Sequence, residues 1–442
     1  MRQSVLFNYV SRDVDTTEPS KNAQLLTRAG YIHKLMSGAY SYTPLGLKVL
    51  TNIENLIRQH MDKLGAQEVL MPVLQPKEIW DKTGRWDKID VMYKMKGANS
   101  RDLALSPTNE EVATPFVTSF VKSYKDLPLA IYQIQSKFRN EPRAKSGLFR
   151  GREFRMKDLY SFHASQEDLD RFYDAVTKEY FDFYKKCGLG DKTFYTYASG
   201  GAFSKYSHEF QTLTDAGEDT VYLLPGTNIA INREIITDKD ALKDIIPNYK
   251  DGMEKDLEVK RAVEVGNIFK LGTRFTSAFG ATFSDVDGKQ KPIIMGCYGI
   301  GPSRVMGTIA ECLSDNRGLV WPEDIAPYKV HLVPMFHTEE EIKKCDKVYE
   351  KMLNAGIDVL YDDRHGLRGG SKFITSDLLG IPHRVILGKQ FLETGNVEWK
   401  KRTEKEPTIL PLDTFISKFA QKNPIIQNRT MQQAINQARQ RS

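Results

Sequence analysis

The sequence predicts an α+β protein, with a strand-rich core in two parts and a small α/β domain after it. Three observations carry this. Residues 129–163 alternate apolar and polar over two long runs separated by a basic stretch, the pattern of a long hairpin. Core-like alternation returns over 263–300 and then opens a helix. Past WPEDIAP at 321–327, read as a linker, the pattern becomes strand, helix, strand, helix, strand over about 100 residues. At 442 residues and 40% hydrophobic content the chain has material for two or three domains, and composition excludes a largely disordered chain.

The elements follow in order. Leu47, Leu50, Ile53, Ile57, Met61 and Leu64 recur in steps of three and four, which predicts an amphipathic helix over 46–64 stopped by Gly65. Residues 68–74 read as an edge strand with Pro72 inside it. In ALSPTNEE at 104–111, Thr108 has the position of a helix cap with Glu111 three residues on, unless context gives Glu110 and Glu111 another role. The hairpin holds five arginines within 17 residues: Arg139, Arg143, Arg150, Arg152 and Arg155. Arg139 and Glu141, two apart, share a strand face. That face suits a phosphate and a base edge, or plain cross-strand ion pairs. His208 in SHEFQ is a lone histidine, structural or catalytic. Residues 218–262 are charged and poorly periodic and read as a connector. In GIGPSR at 299–304 the glycines permit close backbone approach. Arg304 falls in a first helical turn, against the helix dipole, which a bound anion would explain. In the last domain, strands are expected over 328–335, 357–361 and 384–388, with helices from the Thr338/Glu341 capping box and over 372–379.

The net charge is +6, and five of those charges lie beyond residue 324. No acid follows Asp413, whereas Lys418, Lys422, Arg429, Arg439 and Arg441 do, a balance suited to a nucleic-acid backbone. The four cysteines form no CxxC pair, which argues against a zinc or redox motif and for a reducing, cytoplasmic setting. No apolar run long enough for a membrane span occurs, so no membrane partner is expected. A GxxxxGK[ST] loop, HExxH and GxSxG are absent, which sets aside P-loop, zincin and serine-hydrolase chemistry.

Taken in order, these motifs resemble those of class II aminoacyl-tRNA synthetases, and among them the prolyl-tRNA synthetase family, over roughly residues 20–415. Pro72 after its helix resembles motif 1. FRNE at 138–141 with REF at 152–154 resembles motif 2, and GIGPSR at 299–304 resembles motif 3. SPTNEE, SHEFQ, GCYGIG and DLLGIPHR add specificity. The resemblance implies a six-stranded antiparallel catalytic sheet, a C-terminal α/β anticodon-binding domain, and a ligase that activates L-proline with ATP and charges tRNA(Pro). It further implies that Arg139 and Arg304 are the catalytic residues. Arg139 would contact the α-phosphate and the proline carboxylate, and Glu141 the adenine amino group. Phe154 would lie beneath adenine, and Arg304 on its other face or at the γ-phosphate, with Arg150 and Arg152 as secondary phosphate ligands. Mg²⁺ would bridge the phosphates, its protein ligands unassigned. Thr108, Glu110, Arg139 and His208 would bind proline, helped by a strand over 272–277. Pro72 would lie in a homodimer interface.

The implied organisation is a first catalytic part over 1–217, a connector over 218–262 where an editing insertion is missing, and a second catalytic part over 263–324. An anticodon-binding domain over 325–420 and a basic tail over 421–442 complete it. Asn267 stands where the family commonly has histidine. Threonyl and seryl enzymes are the alternatives within the fold; an inactive tRNA-binding paralogue is the alternative outside catalysis.

Overall fold

The computed structural model describes residues 1–11, 13, 18–144, 146–201 and 206–420. The basic tail expected over 421–442 lies outside the described residues.

Helix α1 (Pro44–Lys63) starts where the Thr43 side chain accepts the Gly46 N–H and Pro44 takes the first helical position. It ends before Gly65, whose φ of 70° is left-handed. Its buried face is Val49, Leu50, Ile53, Ile57 and Met61, whereas Leu47, expected on that face, is 55% exposed. Gly46 is required: a Cβ there would stand 1.9 Å from the Tyr31 carbonyl oxygen, a backbone atom. Gly46→Ala is therefore expected to cost about 2–3 kcal/mol, the upper part of the overpacking range. Thermal unfolding measures it, and an unchanged Tm would show that the Tyr31 backbone gives way.

The strand expected over 68–74 is shorter. Strand β1 is Gln67–Glu68. Beyond it, Met71 bonds through N–H to the Gln133 side chain (2.9 Å) and through its carbonyl to the Gln135 side chain (2.6 Å). Pro72 has no N–H with which to continue a ladder, so side-chain amides replace backbone pairing. Helix α2 (Glu110–Thr118) follows the SPTN turn, and its cap position is Asn109, not Thr108.

Strands β2 (Leu129–Phe138) and β3 (Glu153–His163) form the expected hairpin, in antiparallel register from Leu129↔Phe162 to Phe138↔Glu153. Helix α3 (Gln166–Lys186) leads to β4 (Thr193–Ser199) and β5 (Tyr206–Leu213). The connector is more ordered than its composition suggests. It holds β6 (Asp219–Leu223), β7 (Ile229–Asn232) and a short helix (Lys239–Ile245) around its own cluster of Leu224, Ile231, Leu242, Ile245 and Ile246. Strand β8 (Glu258–Gly272) then runs 15 residues into the core, β9 (Ile294–Ile300) follows, and helix α4 (Pro302–Leu313) leaves it. Residues 274–278 are a helical turn, not the expected strand.

Six strands run antiparallel in the order β4-β5-β8-β9-β3-β2, and β1 adds a parallel edge beside β2. Strands β6 and β7 close a loop of strands from the first half of β8 back to β4. Helices α1, α3 and α4 cover one face through Tyr173, Tyr180, Phe183, Tyr184, Phe210 and Tyr298. That coverage leaves the other face of the same strands for polar side chains.

The last part contains β10 (Val330–Pro334), α5 (Glu339–Asn354), β11 (Val359–Tyr361), α6 (Gly369–Leu379), β12 (His383–Leu387), β13 (Asn396–Lys401), β14 (Thr408–Pro411) and α7 (Leu412–Phe419). Its sheet order is β11-β10-β12-β13-β14, parallel at first and antiparallel at the end. The capping box at Thr338 and Glu341 is present. The segment read as a linker is packed: Trp321 is 2% exposed, and its indole donates to the Leu379 carbonyl (3.1 Å). Leu378, Leu379 and Ile381 belong to the same apolar cluster as α1 and α3, so the two parts share a core.

Candidate active site

Strand alternation sorts the site residues. Glu209 pairs with Asn267, Asn267 with Gly299, and Gly299 with Asp158, so these form one row on the open face. His208, Ile268, Tyr298 and Leu159 form the adjacent row on the opposite face.

On the open face a cavity of about 230 Å³ is lined by Arg139, Glu141, Phe149 and Arg150 from the hairpin. Glu218 and Asp219 come from the connector, and Val263, Glu264 and Arg304 from the second core part. Arg139 carries no side-chain hydrogen bond or ion pair among the described residues; its guanidinium stands 5.2 Å from the Phe154 ring. Burial, then the nearby Arg304 charge, pull that guanidinium below its ordinary value. A cation held in this way, without a partner anion, favours an anionic ligand.

Arg304 is different. Its Nε donates to the Phe149 carbonyl (2.8 Å), and its Nη1 to the carbonyl (2.6 Å) and carboxylate (3.0 Å) of Glu264. The anion that sequence reasoning wanted at this helix start is thus supplied by the protein. The other oxygen of Glu264 accepts from Asn267 (2.7 Å). Burial, with Glu264 the next contributor, pushes the Glu209 carboxyl up to about 8, and burial also raises Asp219. Among the described residues no group of three or more His, Cys, Asp or Glu has an arrangement able to hold a metal.

The other hairpin arginines divide. Arg150 donates to Glu141 Oε2 (2.8 Å) and reaches Glu218 (3.4 Å), closing one side of the cavity. Arg152 does not line it and instead donates to the carbonyls of Glu141 (3.0 Å) and Ser37 (3.3 Å). Phe154 lies beneath Arg139 rather than in the lining.

Deeper on the same face, Glu110 is fully buried at the start of α2. Its Oε2 accepts from Thr108 (2.6 Å) and its Oε1 from the Cys297 thiol (3.2 Å). The turn before it is held from below: Lys137 pairs with Asp158 (2.6 Å) and donates to Asn109 (2.8 Å). Thr108 and Glu110 are therefore together, as expected. His208 is not with them. It stacks on Tyr195 (4.5 Å) and meets the Tyr173 hydroxyl (2.6 Å) beneath α3, on the covered face. Burial lowers its pKa to about 4, so it is neutral at pH 7. The physical reason is the two-residue period of β5: Glu209, not His208, faces the site. Pro72 is exposed and lies away from the cavity, next to Leu70, which is 81% exposed.

Sequence reasoning missed Asp219, Cys297 and Arg85 and left Glu264 unassigned. Asp219 and Glu264 lie in or beside the charged connector, where nothing local separates a site acid from a surface acid. Cys297 was visible in GCYGIG but had no partner until β9 was set beside α2. In the last domain, Asp362, Arg364 and Lys372 are turned to local bonds. Arg364 forks onto the buried Asp362 (2.8 and 2.7 Å), and Lys372 donates to the carbonyls of Pro334 and Asp362.

Comparison with known proteins gives the following. A model described as the tRNA synthetase class II core domain (G, H, P, S and T) matches residues 93–312, and an anticodon binding domain model matches 329–422. The proline–tRNA ligase of Bacillus cytotoxicus is 33% identical, with 94% of this chain and 99% of that protein covered. That of Bacillus cereus gives the same values. These alignments run over 565 positions against 442 residues here, so at least 123 positions of the relatives have no counterpart. In structure, the chain resembles prolyl-tRNA synthetase of Cryptosporidium parvum complexed with halofuginone and AMPPNP, at TM-score 0.73 and 21% identity, covering 95% of this chain and 79% of that one. The same enzyme complexed with L-proline and AMP gives TM-score 0.73 at 20% identity, covering 98% and 80%. At those identities the structural likeness speaks for the fold. Among the described residues no helix is long and apolar enough to cross a membrane.

Proposed function

Because this chain belongs to the prolyl-tRNA synthetase family, the ATP-dependent ligases that join proline to its tRNA, we propose how its residues carry that reaction. The observation that supports the reading most is Arg139, a partly buried guanidinium without an anion of its own in the lining of the cavity.

Proline enters as a zwitterion. Glu110 takes its secondary ammonium and Thr108 holds that carboxylate in place. Arg139 takes the proline carboxylate and the α-phosphate together, which aligns the carboxylate oxygen with the phosphorus. The carboxylate attacks in line, the bond to the β-phosphate oxygen breaks, and pyrophosphate leaves. No protein nucleophile is needed, and the fork of Arg139 stabilises the charge that builds on the α-phosphoryl oxygens. In the second step the terminal ribose hydroxyl of tRNA attacks the carbonyl carbon of the adenylate and AMP leaves. Glu141, one oxygen held by Arg150, keeps Oε1 for the adenine amino group. Arg304, steered by Glu264, borders the triphosphate side. Mg²⁺ would come with ATP and would supply charge neutralisation for the phosphates; no set of three carboxylates among the described residues is arranged to hold it, so the nucleotide would carry it. We leave His208 out of the proline pocket and Arg152 out of the nucleotide contacts.

Four further features belong to this proposal. The domain matched over 329–422 binds the tRNA(Pro) anticodon, and the enzyme works in the cytoplasm. It is a homodimer through the surface around Pro72, where exposed Leu70 and Leu74 flank the proline. It lacks editing in cis, because between β7 and β8 it has a short helix and turns where a whole domain would be needed.

The test is ATP–pyrophosphate exchange over a panel of amino acids. Exchange is expected with proline and, much more weakly, with alanine and cysteine, which a small apolar pocket rejects poorly. Exchange with threonine or serine alone, or with none, would overturn the reading.

A further inference from the structure

Beneath Glu110 lies a second carboxylate that no step above uses. Glu111 is fully buried, and Arg85, 1% exposed, is its ion partner. Arg85 Nη1 is 2.8 Å from Glu111 Oε1 and 3.5 Å from Glu110 Oε2, so one guanidinium serves two carboxylates. The Arg85 guanidinium lies 5.4 Å from the Trp80 ring and 5.1 Å from the Phe275 ring, aromatic contacts that hold it in place. Thr83 adds a hydrogen bond to Glu111 Oε1 (2.8 Å). The same segment ties down the turn above: Gln75 donates to the Thr108 carbonyl (3.2 Å) and accepts from the Trp80 indole (3.1 Å).

A buried ion group of this kind is weak evidence for stability, since apolar residues of like volume often serve as well. Its charges point to a use. With both acids ionised the cluster is one negative charge in excess, and a secondary ammonium against Glu110 cancels that excess. We propose that Arg85 and Glu111 are positioning residues that hold Glu110 and couple proline binding to the ionisation of Glu111. The empty cluster keeps a proton on Glu111; the arriving ammonium replaces that proton as the balancing charge, and the proton leaves to solvent. This rests on the reading of Glu110 as the ammonium partner.

The groups facing Glu111 are Arg85 and Thr83 from the segment after Pro76 and Glu110 from its own helix. Cys297 on β9 and Tyr160 on β3 act through Glu110. Burial, opposed by Arg85 and aided by Glu110, pushes the Glu111 carboxyl up to about 7, which places the effect in an accessible range. For an acid held protonated in the empty site, ligand affinity rises with pH up to that value and then levels.

The experiment is the KM for proline in ATP–pyrophosphate exchange between about pH 6 and pH 8, with calorimetry in two buffers of different ionisation enthalpy to count protons released on proline binding. In the full chain, KM is expected to fall with rising pH by up to about tenfold per unit below 7, with proton release near pH 7. Glu111→Gln, isosteric with the protonated acid, is expected to flatten the profile and abolish the release. KM at pH 8 should rise about tenfold while kcat at saturating proline stays within about twofold. Glu111→Asp is expected to restore the slope. A flat wild-type profile with no proton release, or an unaltered slope in Glu111→Gln, overturns the inference. Glu110→Gln separates the two readings. If it leaves the proline KM unchanged, the assignment of Glu110 fails. If it raises KM while Glu111→Gln keeps the wild-type slope, the coupling alone fails.

Discussion

Arg139→Ala is expected to lower proline-dependent ATP–pyrophosphate exchange by about 10³-fold or more, roughly 4 kcal/mol of transition-state stabilisation. In the proposed mechanism Arg139 touches both reactants, and the charge it meets grows as the carboxylate approaches phosphorus. Arg304 does not replace it, because Glu264 and two carbonyls already hold three of its hydrogen bonds. Arg139→Lys is expected to recover part of the binding and little of the rate, since an ammonium lacks the planar fork. Removing a partly buried, unpaired cation should leave Tm unchanged or slightly higher, so a loss of exchange with an intact melt marks a catalytic effect. Near-wild-type exchange would remove Arg139 from the mechanism.

Asp315→Ala is expected to loosen the last domain. Arg402, on that domain and 5% exposed, donates through both terminal nitrogens to Asp315 at 2.8 and 2.6 Å, and Arg317 meets the same carboxylate. Deleting one partner of a buried pair leaves an uncompensated guanidinium. Asp315 itself is partly exposed, so the expected cost is discounted to about 2 kcal/mol. It should appear as a Tm lower by a few degrees. The pH dependence has a definite sign. The Arg402 hydrogen bonds hold the Asp315 carboxyl well below the usual carboxylate range. Stability from this pair is therefore full above the unfolded-state value of about 4 and is lost progressively as pH falls below it towards the lower folded-state value. Asp315→Ala should be less acid-sensitive than the wild type over that window, and an identical acid dependence would count against the pair. Asp315 follows α4, whose first turn carries Arg304, so one helix connects the nucleotide cavity to this contact.

Some of the molecule was legible before folding because its signal is local. Thr338 and Glu341 cap their helix across three residues, and β2 and β3 declare themselves by alternation over two long runs. The order of FRNE, REF and GIGPSR identified the family, and Arg139, Glu141 and Arg304 do line one cavity. Other readings failed for identifiable reasons. Pro72 stops a ladder that the hydrophobic run 69–74 was expected to continue. Thr108 bonds to Glu110 two residues on instead of capping α2. The segment at 321–327 has the composition of a linker but is sealed between two parts of one core.

The sequence by itself determined the class of fold and the family, because motif order, spacing and period are properties of contiguous chain. The tertiary structure decided which face each residue serves. His208 and Glu209 are adjacent in the chain and lie on opposite sides of the sheet, one neutral beneath α3 and the other beside the nucleotide cavity. It also decided that Glu111 shares Arg85 with Glu110, 25 residues from that arginine, an excess of buried negative charge that arises when α2 is packed onto the segment after Pro76. Pleat, register and burial set those outcomes, and none of them is written in any single stretch of the chain.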